Sequence, residues 1–364
     1  MRAWVEIDLA AIERNVGRIK NEVGSGVEVM AVVKSDAYGH GLENVIETID
    51  PLAIDSYAVI SIEEAYVVRK ISQKPILIMS YLDTKEIADA ISEGFSLSLY
   101  DKELIPVYER FAQRIGQPAR VHLKVETGLN RLGLSVQEAT DFLTKTHHFP
   151  NIKLEGIFSH LYKSADHQAS VSQLRTLQRL IADLSQDAPL VPIHLASSYS
   201  LGHFKEGYLD GVRVGLAMYG EDSVLPDLEP AFSCKALVMQ VKDVPAGQGI
   251  SYGHLFTSDK QTKIAVLPIG YAEGLSQNLT GKLSVLIQGI ERSVIGQICM
   301  NHIIIDVTGL DVRRGEEAVI IGSQKNAEGM ISSIRVADVA KLASLRHHEI
   351  IVRLGRGLPR VYRK

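Results

Sequence analysis

Residues 31–41 read AVVKSDAYGHG. The apolar run Val29–Val33 stops on Lys34, and the Ser-Asp pair, Tyr38 and the two glycines around His40 extend neither a strand nor a helix. A buried strand that ends on a lysine and passes into such a loop fits a β/α barrel, whose reactive groups stand at the carboxyl ends of the strands. An amine there lies in a concave, partly dry mouth. Desolvation lowers its pKa and makes it nucleophilic, which is the setting for a lysine that bonds an aldehyde as a Schiff base.

Seven more short β-branched runs accompany Val29–Val33: Tyr57–Ile60, Ile76–Met79, Ser96–Leu99, Val121–Val125, Leu154–Phe158, Pro192–Ala196 and Val212–Val214. Together they make the number that a (β/α)8 barrel needs. Helical spacing fills the intervals, as in Ser61–Ile71, Thr84–Ser92 and Val171–Leu184. Ser61, Asp83, Asp101 and Ser135 stand where helix N-caps belong. The pattern changes after Gly220, where GEDSVLPDLEPAF reads as a linker. Beyond it, Lys235–Val241, Lys263–Leu267, Leu283–Ile287, Ile303–Val307 and Ala318–Ile321 read as strands, with one helical insert over Ile334–Leu345. The expected organisation is an α/β chain with a barrel over 1–228, followed by a mainly-β domain over 229–364.

Length and composition narrow the function. The 364 residues suffice for two domains with sizeable cores. A net charge of -4 with no long run of one sign argues against a nucleic-acid or membrane-surface footprint. The two cysteines, Cys234 and Cys299, have neither CxxC nor zinc spacing, and no metal is expected. No apolar run approaches the ~18 residues of a membrane span, and the N-terminal segment lacks the apolar core of a signal peptide. A soluble chain in a reducing, cytoplasmic compartment is expected.

The other strand ends add to Lys34. KVETGLNRLG, with Lys124 and Arg131, follows the fifth run, and Ser159-His160 follows the sixth. His194-Leu195-Ala196-Ser197-Ser198 and Val212-Arg213-Val214-Gly215-Leu216 cover the last two. In many barrels the final two loops bind a phosphate through backbone N–H groups and small side chains, and Ser197, Ser198, Gly215 and Leu216 are placed to do so. A Schiff-base lysine plus a phosphate cradle suggests pyridoxal 5'-phosphate.

At this point a resemblance covers nearly the whole chain. RAWVEIDLAAIERNV, AVVKSDAYGHG, KVETGLNRLG, HLASS, VRVGLAMYG, SYG at 251–253, PIGYAEG and GQICMN resemble, in order and spacing, the motifs of the alanine racemase family. The resemblance implies an isomerase that interconverts L- and D-alanine with pyridoxal phosphate and supplies D-alanine for peptidoglycan. It implies that Lys34 holds the cofactor and acts as the base on the D-enantiomer, while Tyr252 serves the L-enantiomer from the opposite face. Racemisation takes a proton from one face and returns one to the other, so two bases are required. A free phenol ionises near ~10, so His160 and Arg213 would supply a hydrogen-bonded, positive neighbourhood for Tyr252. Arg213 would also face the pyridine nitrogen and keep it unprotonated. Arg131 and the Met300 N–H would bind the substrate carboxylate, and Tyr38, Ser198, Gly215 and Leu216 the phosphate. Lys124 resembles a lysine that is often carbamylated and positions Arg131, and Tyr271 would line the entrance. Tyr252, Tyr271 and Met300 come from a second subunit in the family, which implies a homodimer with a shared site.

Three positions depart from the family pattern. Asn301 replaces an acid, Ser197 replaces Asn, and Arg356 stands where a phosphate-binding tyrosine is common. Arg356 could still hold phosphate, and it changes the wall beside the substrate side chain. Serine or a broad range of amino acids is therefore the alternative substrate. A barrel-type pyridoxal-phosphate decarboxylase and a non-catalytic carrier of the cofactor are the more distant readings.

Overall fold

A computed structural model describes residues 1–182, 190–221 and 225–364. Leu184 and residues 222–224 of the expected linker lie outside the described residues. The chain forms two compact units: Ile12–Ala37 with Leu42–Glu229, and Met1–Ala11 with Tyr38–Gly41 and Pro230–Lys364. The expected boundary at 228/229 falls beside the Glu229–Pro230 step, but the second unit also takes in both ends of the chain and residues 38–41.

The reason lies in β1 (Ala3–Asp8), a strand the apolar runs do not announce. The eight barrel strands come next in the chain. They are β2 (Glu28–Val32), β3 (Ser56–Val59), β4 (Ile76–Ile78), β5 (Ser96–Leu99), β6 (Ala119–Lys124), β7 (Ile152–Phe158), β8 (Ile193–Ser197) and β9 (Gly211–Val214). They pair in chain order, all parallel, and β9 closes on β2 with Val29 opposite Val212 and Ala31 opposite Val214. Parallel strands are buried on both faces, and β3, β4, β5 and β9 are buried at every residue.

Helices join the strands where the sequence provides caps. Asp83 and Ser135 each form a reciprocal capping box, with Glu86 and Glu138 respectively. Ser61 accepts the Glu64 N–H. Asp101 does not cap the helix Leu104–Ile115; its carboxylate accepts the Glu103 N–H in the turn ahead of it.

In the second unit the expected strand over Lys235–Val241 is two strands, β10 (Phe232–Leu237) and β11 (Gln240–Val244). The rest are β12 (Gly249–Ile250), β13 (Phe256–Thr257), β14 (Thr262–Leu267), β15 (Ser284–Ile287), β16 (Ile290–Ser293), β17 (Ile303–Asp306), β18 (Glu317–Lys325), β19 (Ile331–Ile334) and β20 (Arg360–Arg363). One sheet runs β16-β15-β18-β10-β1-β20, with β19 on β18; β11-β14-β17 and β12-β13 form two smaller ones. The helical insert is Val336–Ala343, and a second helix, His347–Gly357, follows it. β1 lies between β10 and β20 and puts fully buried Val5 and Ile7 into this unit's core. Among the described residues no helix is long and apolar enough to cross a membrane.

Glu6 on β1 ties three adjacent strands of this sheet together. Lys235 (3.0 Å) on β10 and Arg363 (2.7 Å) on β20 meet its carboxylate, and the Trp4 indole donates to it at 3.1 Å. Burial pushes the Glu6 pKa up, but these donors outweigh it and hold the group below its usual 4.5. A depressed folded-state pKa stabilises the fold above the unfolded value and ceases to do so as pH falls through the folded one. Glu6→Gln should destabilise the chain by about 2 kcal/mol at neutral pH. Urea titrations should show that difference shrinking as the pH is taken below 4.5; a gap of constant size would contradict this account.

Candidate active site

The residues after β2 form a turn rather than an open loop. Ser35, Asp36, Ala37 and Tyr38 all have φ between 51° and 57°, in the left-handed region. Four consecutive non-glycine residues there are costly, since each sets Cβ against a carbonyl oxygen. Backbone strain of this kind concentrates where a side chain must be aimed. The turn is tied down from both sides: Glu64 accepts the Asp36 N–H (3.2 Å) and the Ile60 N–H (3.1 Å), and Asp36 accepts the Leu42 N–H at 2.7 Å. Lys34 heads the turn half-buried; desolvation, then the Arg131 charge, lowers its pKa against the opposing pull of Glu64.

Barrel closure sets Lys34 beside the end of β9, because β2 and β9 are neighbours. There Ser198, 5% exposed, accepts the Gly215 N–H (3.0 Å) and the Ala217 N–H (3.2 Å) through its hydroxyl. These atoms line the expected phosphate cradle, with the Gly215 N–H committed to Ser198. Tyr38 leaves with the second unit, and burial pushes its phenol up to about 12.

Arg213, 4% exposed, is the centre of the barrel mouth. Nη1 donates to the His194 carbonyl (2.9 Å) and to His194 Nδ1 (2.7 Å). Nη2 donates to the carbonyls of Ser159 (2.6 Å) and Leu195 (3.3 Å) and to His160 Nδ1 (3.3 Å). A guanidinium has donors only, so both imidazoles present an acceptor nitrogen and carry the proton on Nε2. Among the described residues Nε has no such partner, so its N–H remains for a further acceptor. Burial lowers the Arg213 pKa to about 10, which still leaves it charged at neutral pH.

That charge reshapes its neighbours. Burial, then Arg213, drives His160 down to about 3, and His194 falls well below its usual value for the same reasons. His160 is therefore neutral, and the positive neighbourhood expected of the pair belongs to Arg213 alone. Lys124, 6% exposed, lies over the Phe158 ring at 4.7 Å. Burial, then Arg213 and Arg131, lowers it to about 7, so much of it is free amine near neutrality. Arg131 follows in the 125–134 loop, whose backbone Glu126 gathers, accepting the N–H groups of Gly128 and Arg131. Glu64, Phe158 and His122 were not singled out by sequence reasoning. Glu64 could have been suspected from its place just past a strand end; the other two read as ordinary interior residues.

In the second unit, three sequence-distant motifs converge. Ser251 donates to the Gln297 carbonyl at 2.8 Å, which joins SYG to GQICMN. The Tyr271 N–H donates to Cys299 O (3.1 Å) and the Ala272 N–H to Met300 O (2.9 Å), which joins PIGYAEG to the same segment. Gly270 permits this approach: a Cβ there would lie 2.2 Å from Cys299 O. Tyr252, Tyr271 and Met300 are exposed at 68%, 41% and 55%. Arg356 shares a recess of about 570 Å3 with Tyr271 and Arg353. Asn301 donates to Glu273 at 2.8 Å. Among the described residues no group of His, Cys, Asp and Glu could hold a metal ion.

A closed parallel barrel with a strained, partly desolvated lysine at one strand end and a buried arginine at the next defines an enzyme of strand-end amine chemistry. Residues 7–223 match the family described as alanine racemase, N-terminal domain, and 231–362 match alanine racemase, C-terminal domain. An alanine racemase of Methanococcus maripaludis is 33% identical over 99% of this chain and 98% of its own length. Alanine racemase 2 of Caldanaerobacter subterraneus is also 33% identical, over 98% of this chain and 94% of its own. Among solved structures, alanine racemase from Streptomyces lavendulae superposes with a TM-score of 0.91 at 30% identity, covering 100% of this chain and 97% of its own. That from Bartonella henselae, with covalently bound pyridoxal phosphate, has a TM-score of 0.90 at 26% identity, with full coverage of both chains. The chain belongs to the alanine racemase family.

Glu64→Ala removes the acceptor that joins the Asp36 amide of the lysine turn to the Ile60 amide past β3, and should cost about 2 kcal/mol. Amide exchange at Asp36 and Ile60 should accelerate selectively; unchanged protection at both would show that Glu64 does not hold the turn.

Proposed function

We propose that this chain interconverts L- and D-alanine, using pyridoxal phosphate held at the barrel mouth. The observation that carries the reading is the pair of groups that closure sets at adjacent strand ends: Lys34, with its lowered pKa, and buried Arg213, with its Nε–H still available. The residues present fit the cofactor. A lysine that is readily deprotonated suits covalent attachment to an aldehyde. The Nε–H of Arg213 suits an acceptor such as a pyridine nitrogen. Ser198, Gly215 and Leu216 suit a phosphate. When bound, the cofactor acts as an electron sink that makes the substrate α-proton acidic.

Arg213 shapes which reaction follows. It stays charged and donates, so it does not hand a proton to the ring nitrogen. That restrains full electron withdrawal and the side reactions that go with it. Lys34 Nζ takes or returns the α-proton on one face. Tyr252 Oη does so on the other, reaching the barrel mouth of a partner protomer in a homodimer. The exposed cluster of Tyr252, Tyr271 and Met300 supports this sharing, since neighbouring exposed apolar side chains mark interaction surfaces. Arg131 and the Met300 N–H bind the substrate carboxylate. Lys124, much of it free amine near pH 7, is suited to carbamylation and to positioning Arg131. A cytoplasmic location agrees with two free cysteines.

Serine is the second reading. Asn301 and Arg356 introduce polar groups on the second unit, and Arg356 stands in the recess that Tyr271 lines. Its place beside Tyr271 suits the entrance better than the phosphate.

Chirality assays across L-alanine, L-serine and L-lysine should show D-product from alanine, with serine the next best. Carbon dioxide release without D-product would overturn the racemase reading. Lys34→Ala should leave no cofactor attached after borohydride reduction and denaturation, read by mass. Tyr252→Phe should lower L-to-D turnover by ~10²–10⁴-fold with cofactor attachment unchanged. Mixing these two variants should restore activity, because a hybrid dimer contains one intact site; no recovery would contradict a shared site.

A further inference from the structure

The barrel has a second opening, at the amino-terminal ends of its strands. In this fold that face ordinarily serves stability, and the chemistry sits at the opposite end. Here it holds a cavity of about 220 Å3. Glu28, Asp55 and Glu155 line it, with Ser56 and Ser96 and, from the barrel interior, His122. Met30, Leu77 and Val212 provide apolar wall. The volume lies below the ~300 Å3 at which drug-sized sites begin, so any occupant is small.

The charges in this cavity do not balance locally. Glu155 is matched by Arg120 (3.1 Å) and Lys153 (3.0 Å) and accepts the Ser96 hydroxyl at 2.9 Å. Asp55 accepts the Val29 N–H at 2.7 Å and faces Lys20 at 3.4 Å. Glu28 has no ion pair and no side-chain hydrogen bond among the described residues. Partial burial, then the charges of Asp55 and Asp210, raises its pKa against the opposing pull of Lys20.

A second observation is independent of the carboxylates. Ser56 is only 7% exposed, lines the cavity, and its Oγ has no hydrogen-bond partner. Buried hydroxyls are ordinarily satisfied, so one left open on a cavity wall marks a place for an occupant. Arg120, committed to Glu155, and His122 are donors on the same wall. The Nδ1 of His122 meets His194 Nε2 at 3.0 Å. Since Arg213 forces the His194 proton onto Nε2, His122 accepts there and keeps its own proton on Nε2. Gly156 makes room for the ring, because a Cβ at that position would lie 2.5 Å from His122 Nδ1.

We propose that this cavity binds a small hydroxylated organic ammonium ion, its charged nitrogen at Glu28 and Asp55 and its hydroxyl at Ser56 and His122. The ligand carries a positive charge for Glu28 and Asp55, a body for the apolar wall and an oxygen that can both accept from His122 and bond to Ser56. Through His122 and His194 the site adjoins Arg213, so an occupant bears on the hydrogen bonds that orient the guanidinium.

The test is calorimetric titration of the full chain with N,N-dimethylethanolammonium. This tertiary amine cannot condense with an aldehyde, so its binding is separate from the racemase chemistry. The expected result is saturable one-to-one binding, weakened about tenfold in Glu28→Gln, the loss of one charge-assisted contact. Glu28 is exposed, so circular dichroism of this variant should match that of the unaltered chain. Ser56→Leu should fill the cavity and remove binding, with circular dichroism checking its fold. Three results would each overturn the proposal: no binding at millimolar ligand, equal binding of the uncharged isostere 3-methylbutan-1-ol, or binding unchanged in Glu28→Gln.

Discussion

Burying a guanidinium takes a full charge out of water, and it is tolerated only when its donors are met. Arg213 meets that condition with three backbone carbonyls and two imidazole nitrogens, contributed by His194 and Leu195 within β8 and by Ser159 and His160 just past β7. The arginine itself sits on β9. One side chain thus ties three neighbouring strand ends together. It also leaves its Nε–H without a hydrogen-bond partner among the described residues.

Burial first, and this charge after it, lowers the pKa of the bases around it. A fixed positive centre in a partly dry mouth disfavours any second positive charge nearby. His160, His194 and His122 are all held neutral, and Lys124 is brought to about 7. Lys34 is lowered too, chiefly by desolvation, with Arg131 rather than Arg213 as the charged contributor. Because the arginine can only donate, it also dictates which nitrogen of each imidazole bears the proton. That orientation runs through His194 to His122, so the barrel interior is polarised from its catalytic mouth toward its opposite end.

Much of the barrel was legible because parallel strands buried on both faces read as short apolar runs with helical spacing between them. All eight runs are strands, each displaced by no more than two residues. Capping worked where a Ser or Asp had a Glu three residues on, and failed at Asp101, which lacks that partner at the right place. β1 escaped notice because Ala3, Val5 and Ile7 alternate with Trp4, Glu6 and Asp8 and form no continuous apolar run. The run Lys235–Val241 hid a break, since Val238 and Met239 look like strand but connect β10 to β11. The helix His347–Gly357 was missed because its two glycines and charged residues weaken the periodic signal.

The sequence by itself determined the chemistry-bearing residues and their order: a lysine closing an apolar run, an arginine within the last one, and a phenol in a Gly-flanked turn. Those identities are local, and local pattern reveals them. Only the tertiary structure decided their physical state. The left-handed turn that aims Lys34, the neutrality of His160, the open Nε–H of Arg213 and the meeting of three motifs around Cys299 all depend on groups far apart in the chain. Hydrogen bonding and desolvation act through space. What a side chain is can be read along the chain, but what its proton does depends on which distant atoms the closed barrel and the β sheets bring beside it.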